Sequence, residues 1–375
     1  MAKQKTQRKR TASYFDYNML FILIVLIGFG LVMLYSSSSY TATNKFGDSA
    51  YYLRAQIKAF VLGLVPMIFF IAVDYRVWKK FGTLIYLMSF LLCFAVFIPG
   101  LGVERNNSTR WIKIGPIQFQ PSEFAKLAII IFLAMVIDRI PKQMNKTKNL
   151  LKVLVMLIPI CGVIAYSNLS TAIIVVGIAV CMLFVASPKY KPFFGIAAGG
   201  VAFVVLFVSL ATYRGGRIEA WLHPETAGDK GYQTMQGLYA IGSGKLFGKG
   251  LGASLQKLGN VPESMNDMIF TIICEELGLF GAICVILLYI LLLWRMMVIA
   301  NNARDLFGSL LVTGVMSHIA IQVILNIAVV TNTIPNTGVT LPFISYGGTS
   351  VVFLMSEMGL VLGVSRGIRL ETMEE

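Results

Sequence analysis

Six ionisable side chains fall inside strongly apolar stretches of this 375-residue chain: Glu123, Lys126, Glu275, Glu276, His318 and Glu357. Such groups are costly in hydrocarbon, so each is a candidate for function. Glu123 and Lys126 stand three apart, which on a helix puts both side chains on one face and lets them pair. They also follow Pro121 and Ser122, and Pro at the first helical position with an acid in the first turn is ordinary helix-start chemistry. Asn266 and Asp267 precede the run Met268 to Ile273; from position alone, Asp267 is first of all a helix cap. Glu275 and Glu276 follow it by eight and nine residues, or ~12–14 Å along a helix, and must face protein or water. His318 and Gln322, four apart, face one neighbour, and a hydrogen-bonded packing role suits His318 better than catalysis. Glu357 resembles it, with its partner unnamed by the sequence. His223, followed by Pro224 and Glu225, is a lone loop histidine with no metal-ligand spacing. Arg105, Arg110, Lys113, Arg214 and Arg217 gather cations that suit phosphates, as arginine does bidentately, or that form a solvated rim. The tract Gly242, Gly244, Gly248, Gly250, Gly252 matches neither GxxxxGK[ST] nor GxGxxG and is expected to form a flexible or re-entrant loop.

The elements that must position these groups follow from composition. The chain is 57% apolar and 13% charged, with a mean hydropathy of +0.75, against roughly 45–50% and about 25% for a soluble domain. That excludes an ordinary soluble enzyme and predicts an all-α, polytopic membrane protein. Ten apolar runs near the ~20 residues a spanning helix needs lie at 17–36, 57–74, 82–101, 123–140, 150–166, 170–187, 192–212, 268–294, 306–330 and 348–366. The first is too long for a cleavable signal core of ~7–15 residues. With the N-terminus inside, the expected cytoplasmic segments hold nineteen of the 32 Lys and Arg residues. This agrees with the positive-inside tendency and with both termini being cytoplasmic. The net charge of +14 then needs no nucleic-acid partner. The expected organisation is a basic tail at 1–16, one ten-helix membrane domain at 17–366 and a C-terminal tail at 367–375. Outer segments at 37–56, 102–122 and especially 213–267, the large extracytoplasmic loop, are too long for simple turns. Pro335, Gly338, Pro342, Gly347 and Gly348 bracket a non-helical stretch before the last run, which is tolerated only outside the bilayer or along a cavity. The cysteines, Cys93, Cys161, Cys181, Cys274 and Cys284, all sit in apolar runs without CxxC spacing and read as packing residues.

Four segments resemble a known family. Arg110-Trp111-Ile112 with Phe119-Gln120-Pro121-Ser122-Glu123 and Lys126 is similar to the outer-loop signature of the SEDS proteins, the FtsW, RodA and SpoVE group. So are Gly248-Lys249-Gly250-Leu251-Gly252, Val261-Pro262-Glu263-Ser264-Met265-Asn266-Asp267-Met268-Ile269-Phe270 with Glu275-Glu276-Leu277-Gly278, and Pro335-Asn336-Thr337-Gly338-Val339-Thr340-Leu341-Pro342-Phe343 with Ser345-Tyr346-Gly347-Gly348. The resemblance spans about residues 16 to 369, and the stretch Gly102 to Asn107 is most like the FtsW branch. One departure stands out: Ser167-Asn168-Leu169-Ser170-Thr171 replaces an acidic tract of many relatives, so no role for an acid there carries over.

The resemblance implies a ten-helix multi-pass protein of the bacterial cytoplasmic membrane that polymerises peptidoglycan from lipid II at the outer face. It matches Asp267 to the family's essential aspartate, which displaces the cap expected from position, and Glu123 and Lys126 to its charged pair. Substrate contacts are then expected from Arg110, Arg214, Arg217, Ser345, Tyr346 and Gly347. Glycosyl transfer from a lipid diphosphate needs a base and cationic help for the leaving group. Asp267 would supply the first. Arginines, or a divalent cation such as Mg²⁺ or Mn²⁺, would supply the second; no organic cofactor is expected, and which residues would hold a metal stays open. The resemblance also implies a class B penicillin-binding protein as partner and, for the FtsW branch, a division complex and a septal role. The alternatives are elongation or sporulation polymerase, lipid II flippase, or non-enzymatic scaffold.

Overall fold

A computed structural model describes residues 11–105, 108–114, 117–209 and 218–371. Arg214 and Arg217, two of the expected substrate contacts, lie outside them. Ten long helices follow one another along the chain: α1 (Tyr17–Phe46), α2 (Tyr51–Ala72), α3 (Arg76–Ala95), α4 (Pro121–Arg139), α5 (Thr147–Ser167), α6 (Leu169–Ala186), α7 (Lys191–Ser209), α9 (Ile269–Asn301), α10 (Leu306–Val330) and α11 (Gly348–Arg366). A shorter helix, α8 (Asp229–Ser243), stands between α7 and α9. Eight of the long helices are long and apolar enough to cross a membrane, and α4 and α7 complete the ten. Among the described residues, sheet is confined to a three-stranded antiparallel piece between α3 and α4, β2 (Gly102–Arg105), β3 (Ser108–Ile114) and β4 (Ile117–Phe119), and a pair that brings the two terminal regions together, β1 (Thr11–Ser13) with β5 (Arg369–Glu371).

α4 is the inner helix. Almost all of it is buried, with Ala125, Ile129, Ile130, Leu133 and Ala134 fully enclosed, and it packs on α3, α6, α10 and α11. Glu123, Lys126 and Asp138 interrupt its apolar run, which is tolerable because its neighbours shield it from lipid. The outer helices show the converse: Ile68, Leu84, Leu91, Ile158 and Ile324 are exposed, as side chains bathed in hydrocarbon would be.

Two boundaries depart from expectation for a visible reason. The first span was expected to stop at 36, yet α1 runs to Phe46, so 37–56 is mostly helix and only 47–50 links α1 to α2. Ser37, Ser39 and Thr43 return their hydroxyls to the carbonyls of Leu34, Ser36 and Ser39, keeping a polar sequence helical until Gly47 (φ 68°) ends it. The expected span 268–294 is not one rod either. Gly278 (φ 68°, ψ −166°) breaks α9, and the segment 245–250 of the glycine tract runs beside the break. Lys249 N–H donates to Glu275 O (3.0 Å), Gly250 N–H to Glu276 O (2.9 Å), and Leu279 and Phe280 N–H to Lys245 O and Leu246 O (2.9 and 3.0 Å). A Cβ on Gly248 would lie 2.2 Å from Glu276 O and one on Gly244 1.9 Å from Cys274 O, so only glycine admits this approach. The tract is therefore a turn-rich segment packed against a broken helix, and with α8 it gives the described part of the expected loop, 218–267, much internal structure.

α2 and α11 approach each other closely. A Cβ on Gly359 would meet Met67 O at 2.4 Å, and one on Gly363 would meet Phe70 O at 2.7 Å. Small residues four apart are how membrane helices bring backbones together. Gly359→Val is expected to cost about 1–3 kcal/mol, as overpacking typically does. A thermal melt of the purified variant in detergent checks this; an unchanged midpoint would count against the packing.

Candidate active site at the loop-bearing end of the bundle

The β2–β4 sheet, the 218–268 segment and the 331–347 segment share one end of the bundle, opposite the paired chain ends. The 331–347 stretch is non-helical, as expected from its prolines and glycines, and its backbone is held by side chains from the surrounding elements. From α10, Gln322 Nε2 donates to Thr340 O (3.0 Å). Ser170 of α6 donates to Thr337 O (2.8 Å). Gln56 of α2, 1% exposed, uses both ends of its amide: Nε2 donates to Ser345 O (3.1 Å) and Oε1 accepts from Gly347 N–H (3.1 Å).

Asp267 meets this stretch. It lies one residue outside the N-cap of α9, which is Met268, so it does not occupy the cap position. It is 7% exposed, and its Oδ2 would be 3.8 Å from a Cβ on Gly338, whose φ of 67° suits glycine. Asn326 of α10 fixes the junction. Its buried Nδ2 donates to Asp267 O and to Val339 O, each at 2.7 Å. Ser345 makes a second tie, donating to Asn266 O (2.6 Å) while accepting from Leu341 N–H (2.8 Å), and Tyr346 N–H donates to Met265 O (2.9 Å). The Tyr346 ring stands edge-on to Tyr52, centroids 5.2 Å apart. Ser345, Tyr346 and Gly347 thus adjoin Asp267, and the Ser345 hydroxyl and the Gly347 N–H are used within the fold.

Glu123 and Lys126 pair at 2.9 Å with side chains 10% and 3% exposed. Their surroundings include Ser350 of α11 and His318 of α10. His318 Nδ1 in turn lies 2.8 Å from Glu357 Oε2, both buried. Three helices therefore bring two acids, a lysine and a histidine together in the core, and Glu357 acquires the partner the sequence left unnamed. His318, Gln322 and Asn326 recur every four residues on α10, so one polar face runs from this cluster to Asp267 over ~12 Å. Arg110 on β3 donates from Nε to Ser167 O (2.9 Å), beside Pro121 and Ser122 at the start of α4.

Glu275 and Glu276 are fully buried and serve the glycine tract. Glu275 takes Lys249 Nζ (2.6 Å), the Ser254 hydroxyl and the backbone N–H groups of Leu255 and Gln256. Glu276 takes Lys257 Nζ (2.7 Å) and Ser36 Oγ (2.7 Å). Sequence reasoning missed Asn326, Gln56, Lys249 and Lys257. Asn326 alone carried a signal, extending the His318 and Gln322 spacing by one more turn. Among the described residues no group of three or more His, Cys, Asp or Glu gathers to hold a metal ion, and the cysteines are free thiols.

The architecture and site define a multi-pass helical membrane protein with Asp267 buried at the loop-bearing end, above a cluster of buried charge. Residues 17–369 match the family model of FtsW, RodA and SpoVE, described as cell cycle protein. The chain is 40% identical to stage V sporulation protein E of Bacillus subtilis (strain 168), covering 94% of this chain and 97% of that one. It is 35% identical to a probable peptidoglycan glycosyltransferase FtsW of Trichlorobacter lovleyi, covering 96% and 95%. Its fold matches, with a TM-score of 0.77 and 26% identity over 94% and 98% of the chains, a structure on coordination of polymerization and crosslinking by a peptidoglycan synthase complex. RodA of Thermus thermophilus, a rod shape determining protein, matches with a TM-score of 0.66 and 25% identity over 94% and 97%. The chain belongs to the FtsW, RodA and SpoVE family.

Asn326→Leu should lower polymerising activity by about 10²-fold, the scale of a catalytic group misplaced by about an ångström. Initial-rate assays of the folded variant check this, and an undiminished rate would detach Asn326 from the site. Lys126→Ala should destabilise the protein by about 3–5 kcal/mol, because it strands the Glu123 carboxylate in the core; thermal melts of Lys126→Ala and the Glu123→Gln/Lys126→Ala pair would show whether removing the acid restores stability.

Proposed function

We propose that this glycosyltransferase of peptidoglycan synthesis polymerises lipid II at the outer face of the bacterial cytoplasmic membrane. Asp267 takes the proton from the GlcNAc 4-hydroxyl of one lipid II as that oxygen attacks the anomeric carbon of the other. The bond to undecaprenyl diphosphate breaks in the same displacement, with inversion at carbon. The observation that carries this is the fixing of Asp267 at the loop-bearing end, its backbone carbonyl held by Asn326 and its carboxylate set against Gly338. A base must be held within hydrogen-bond reach of the proton it accepts, and the ties from α10 and the 341–346 stretch to the 265–267 backbone support such a role.

Arg110, with Arg214 and Arg217, neutralises the departing diphosphate, and the Tyr346 ring and the backbone at Gly347 contact the substrate. A divalent cation, Mg²⁺ or Mn²⁺, held chiefly by the substrate's own phosphate oxygens, would help neutralise the diphosphate. Glu123 and Lys126 shape the inner wall. The likeness to a peptidoglycan synthase complex supports a class B penicillin-binding protein as partner, and the basic segments at the end carrying both chain ends support their cytoplasmic placement. The role is septal wall synthesis within a division complex, with sporulation or elongation the alternatives within the family.

A second reading, lipid II translocation, draws on the broken helix at Gly278 and on the deep cluster of Glu123, Lys126, His318 and Glu357, since transporters use discontinuous helices and intramembrane charge. Polymerisation in detergent, where there is no bilayer to cross, separates the two. Purified protein with its penicillin-binding partner, labelled lipid II and Mg²⁺ or Mn²⁺, in moenomycin to silence contaminating polymerases, should give a glycan ladder. Asp267→Asn should reduce it by at least ~10²-fold, the lower bound for a lost general base. A ladder of equal rate from the folded variant would overturn the base assignment, and no ladder from the intact wild-type complex would favour translocation.

A further inference from the structure

At the end of the bundle carrying the paired chain ends, the C-terminal ends of α2 and α11, the N-terminus of α3 and the turn before α10 enclose a cavity of about 180 Å³. Its polar lining is Arg76, Arg304 and Arg366 with Asp74, and the backbones of Gly363 and Gly367 form part of its floor. This volume is below the ~300 Å³ of a drug-sized ligand site, so it takes a small charged group rather than a whole metabolite.

The nearby acids are turned to other work. Asp305 accepts from Arg76 Nε (2.8 Å), from the Tyr75 hydroxyl (3.1 Å) and from Gly308 N–H (2.8 Å), capping α10. Asp74 Oδ1 accepts from Arg76 N–H (3.0 Å) at the start of α3. Burial pushes the Tyr75 phenol up to about 12, so it stays a neutral donor. The Arg76 guanidinium is held by Asp305 and by the Tyr75 face, 5.6 Å from its centroid, and Arg366 Nη1 donates to Ile71 O (3.3 Å). Three arginines, two of them already oriented, thus outnumber two engaged carboxylates.

The cavity sits at the level where a lipid head group would lie. Trp78, in the first turn of α3, packs on Phe70 (4.7 Å between centroids) and Phe69 (5.7 Å), and aromatic side chains at helix ends mark the membrane–water interface. Beyond it Phe69, Ile68, Val77 and Phe81 are exposed on α2 and α3, an apolar surface along which acyl chains can lie. We propose that this cavity binds the phosphate head group of an anionic glycerophospholipid, with its chains along α2 and α3. Basic pockets between helix ends bind such head groups. Free phosphate would satisfy the arginines but leave the apolar surface without a role.

Native mass spectrometry of the full chain from a neutral detergent, titrated with phosphatidylglycerol, phosphatidylcholine or inorganic phosphate, tests this. Wild type should retain one phosphatidylglycerol in preference to phosphatidylcholine, undisplaced by millimolar phosphate. Arg304→Gln/Arg366→Gln should weaken that binding by about thirtyfold, the size expected for two arginine contacts near a membrane surface. Arg304→Gln alone, an exposed turn position, should weaken it by about fivefold and guards against loss of fold in the double variant. Lys45→Gln/Lys58→Gln, an equal charge change on exposed residues at the opposite end, should leave binding unchanged. Equal weakening by the opposite-end variant, equal retention of phosphatidylcholine, or displacement by phosphate would each overturn the proposal.

Discussion

A run of peptide backbone without helical hydrogen bonds, folded among membrane helices, must find a partner for its polar groups or it cannot stay there. The 335–347 stretch meets that demand with side-chain amides and hydroxyls: Gln56, Ser170, Gln322, Asn326 and its own Ser345. Everything at the loop-bearing end depends on the arrangement. Because Asn326 holds carbonyls from both Val339 and Asp267, the same side chain that stabilises the irregular backbone also places the carboxylate. Fold and chemistry are joined at a single amide nitrogen.

Beneath that layer the charges follow a different logic. Lys126 and Glu123 sit on the helix with the most complete protein coat, next to the contact between His318 and Glu357. An interior ion pair adds little net stability compared with apolar packing, but removing one member leaves a charge with nowhere to go. The cluster therefore ties α4, α10 and α11 together in one arrangement. Gln322 and Asn326 carry the same helix face outward to Asp267, so the position of α10 in the core and the position of Asp267 cannot vary independently.

Much of the architecture was legible in the sequence because the bilayer imposes a coarse rule: ten apolar runs became ten helices in the expected order. Ends were less legible. The serine-rich stretch after residue 36 reads as a loop by polarity, yet its hydroxyls bond back along the helix and prolong it. The break at Gly278 was invisible for the opposite reason, since hydropathy does not register φ. Its sign was the glycine tract thirty residues earlier, whose contact with α9 is tertiary. Asp267 illustrates the limit for chemistry. Position alone suggested a cap, the motif around it pointed to a base, and the structure places it outside the cap, against Gly338. Asn326, an ordinary amide in an apolar run, gained meaning only when the 331–347 segment folded onto it.

The interruption of α9 also divides its macrodipole. Residues 269–277 form a short half-helix of their own, with its positive end next to Asp267 and its negative end at the break. That negative end is completed by the N–H groups of Lys249 and Gly250 on the carbonyls of Glu275 and Glu276, and by the side chains of Lys249 and Lys257 on their carboxylates. With its far pole neutralised, the half-helix turns its positive end toward the Asp267 carboxylate. The glycine tract thereby helps set the electrostatic potential around Asp267.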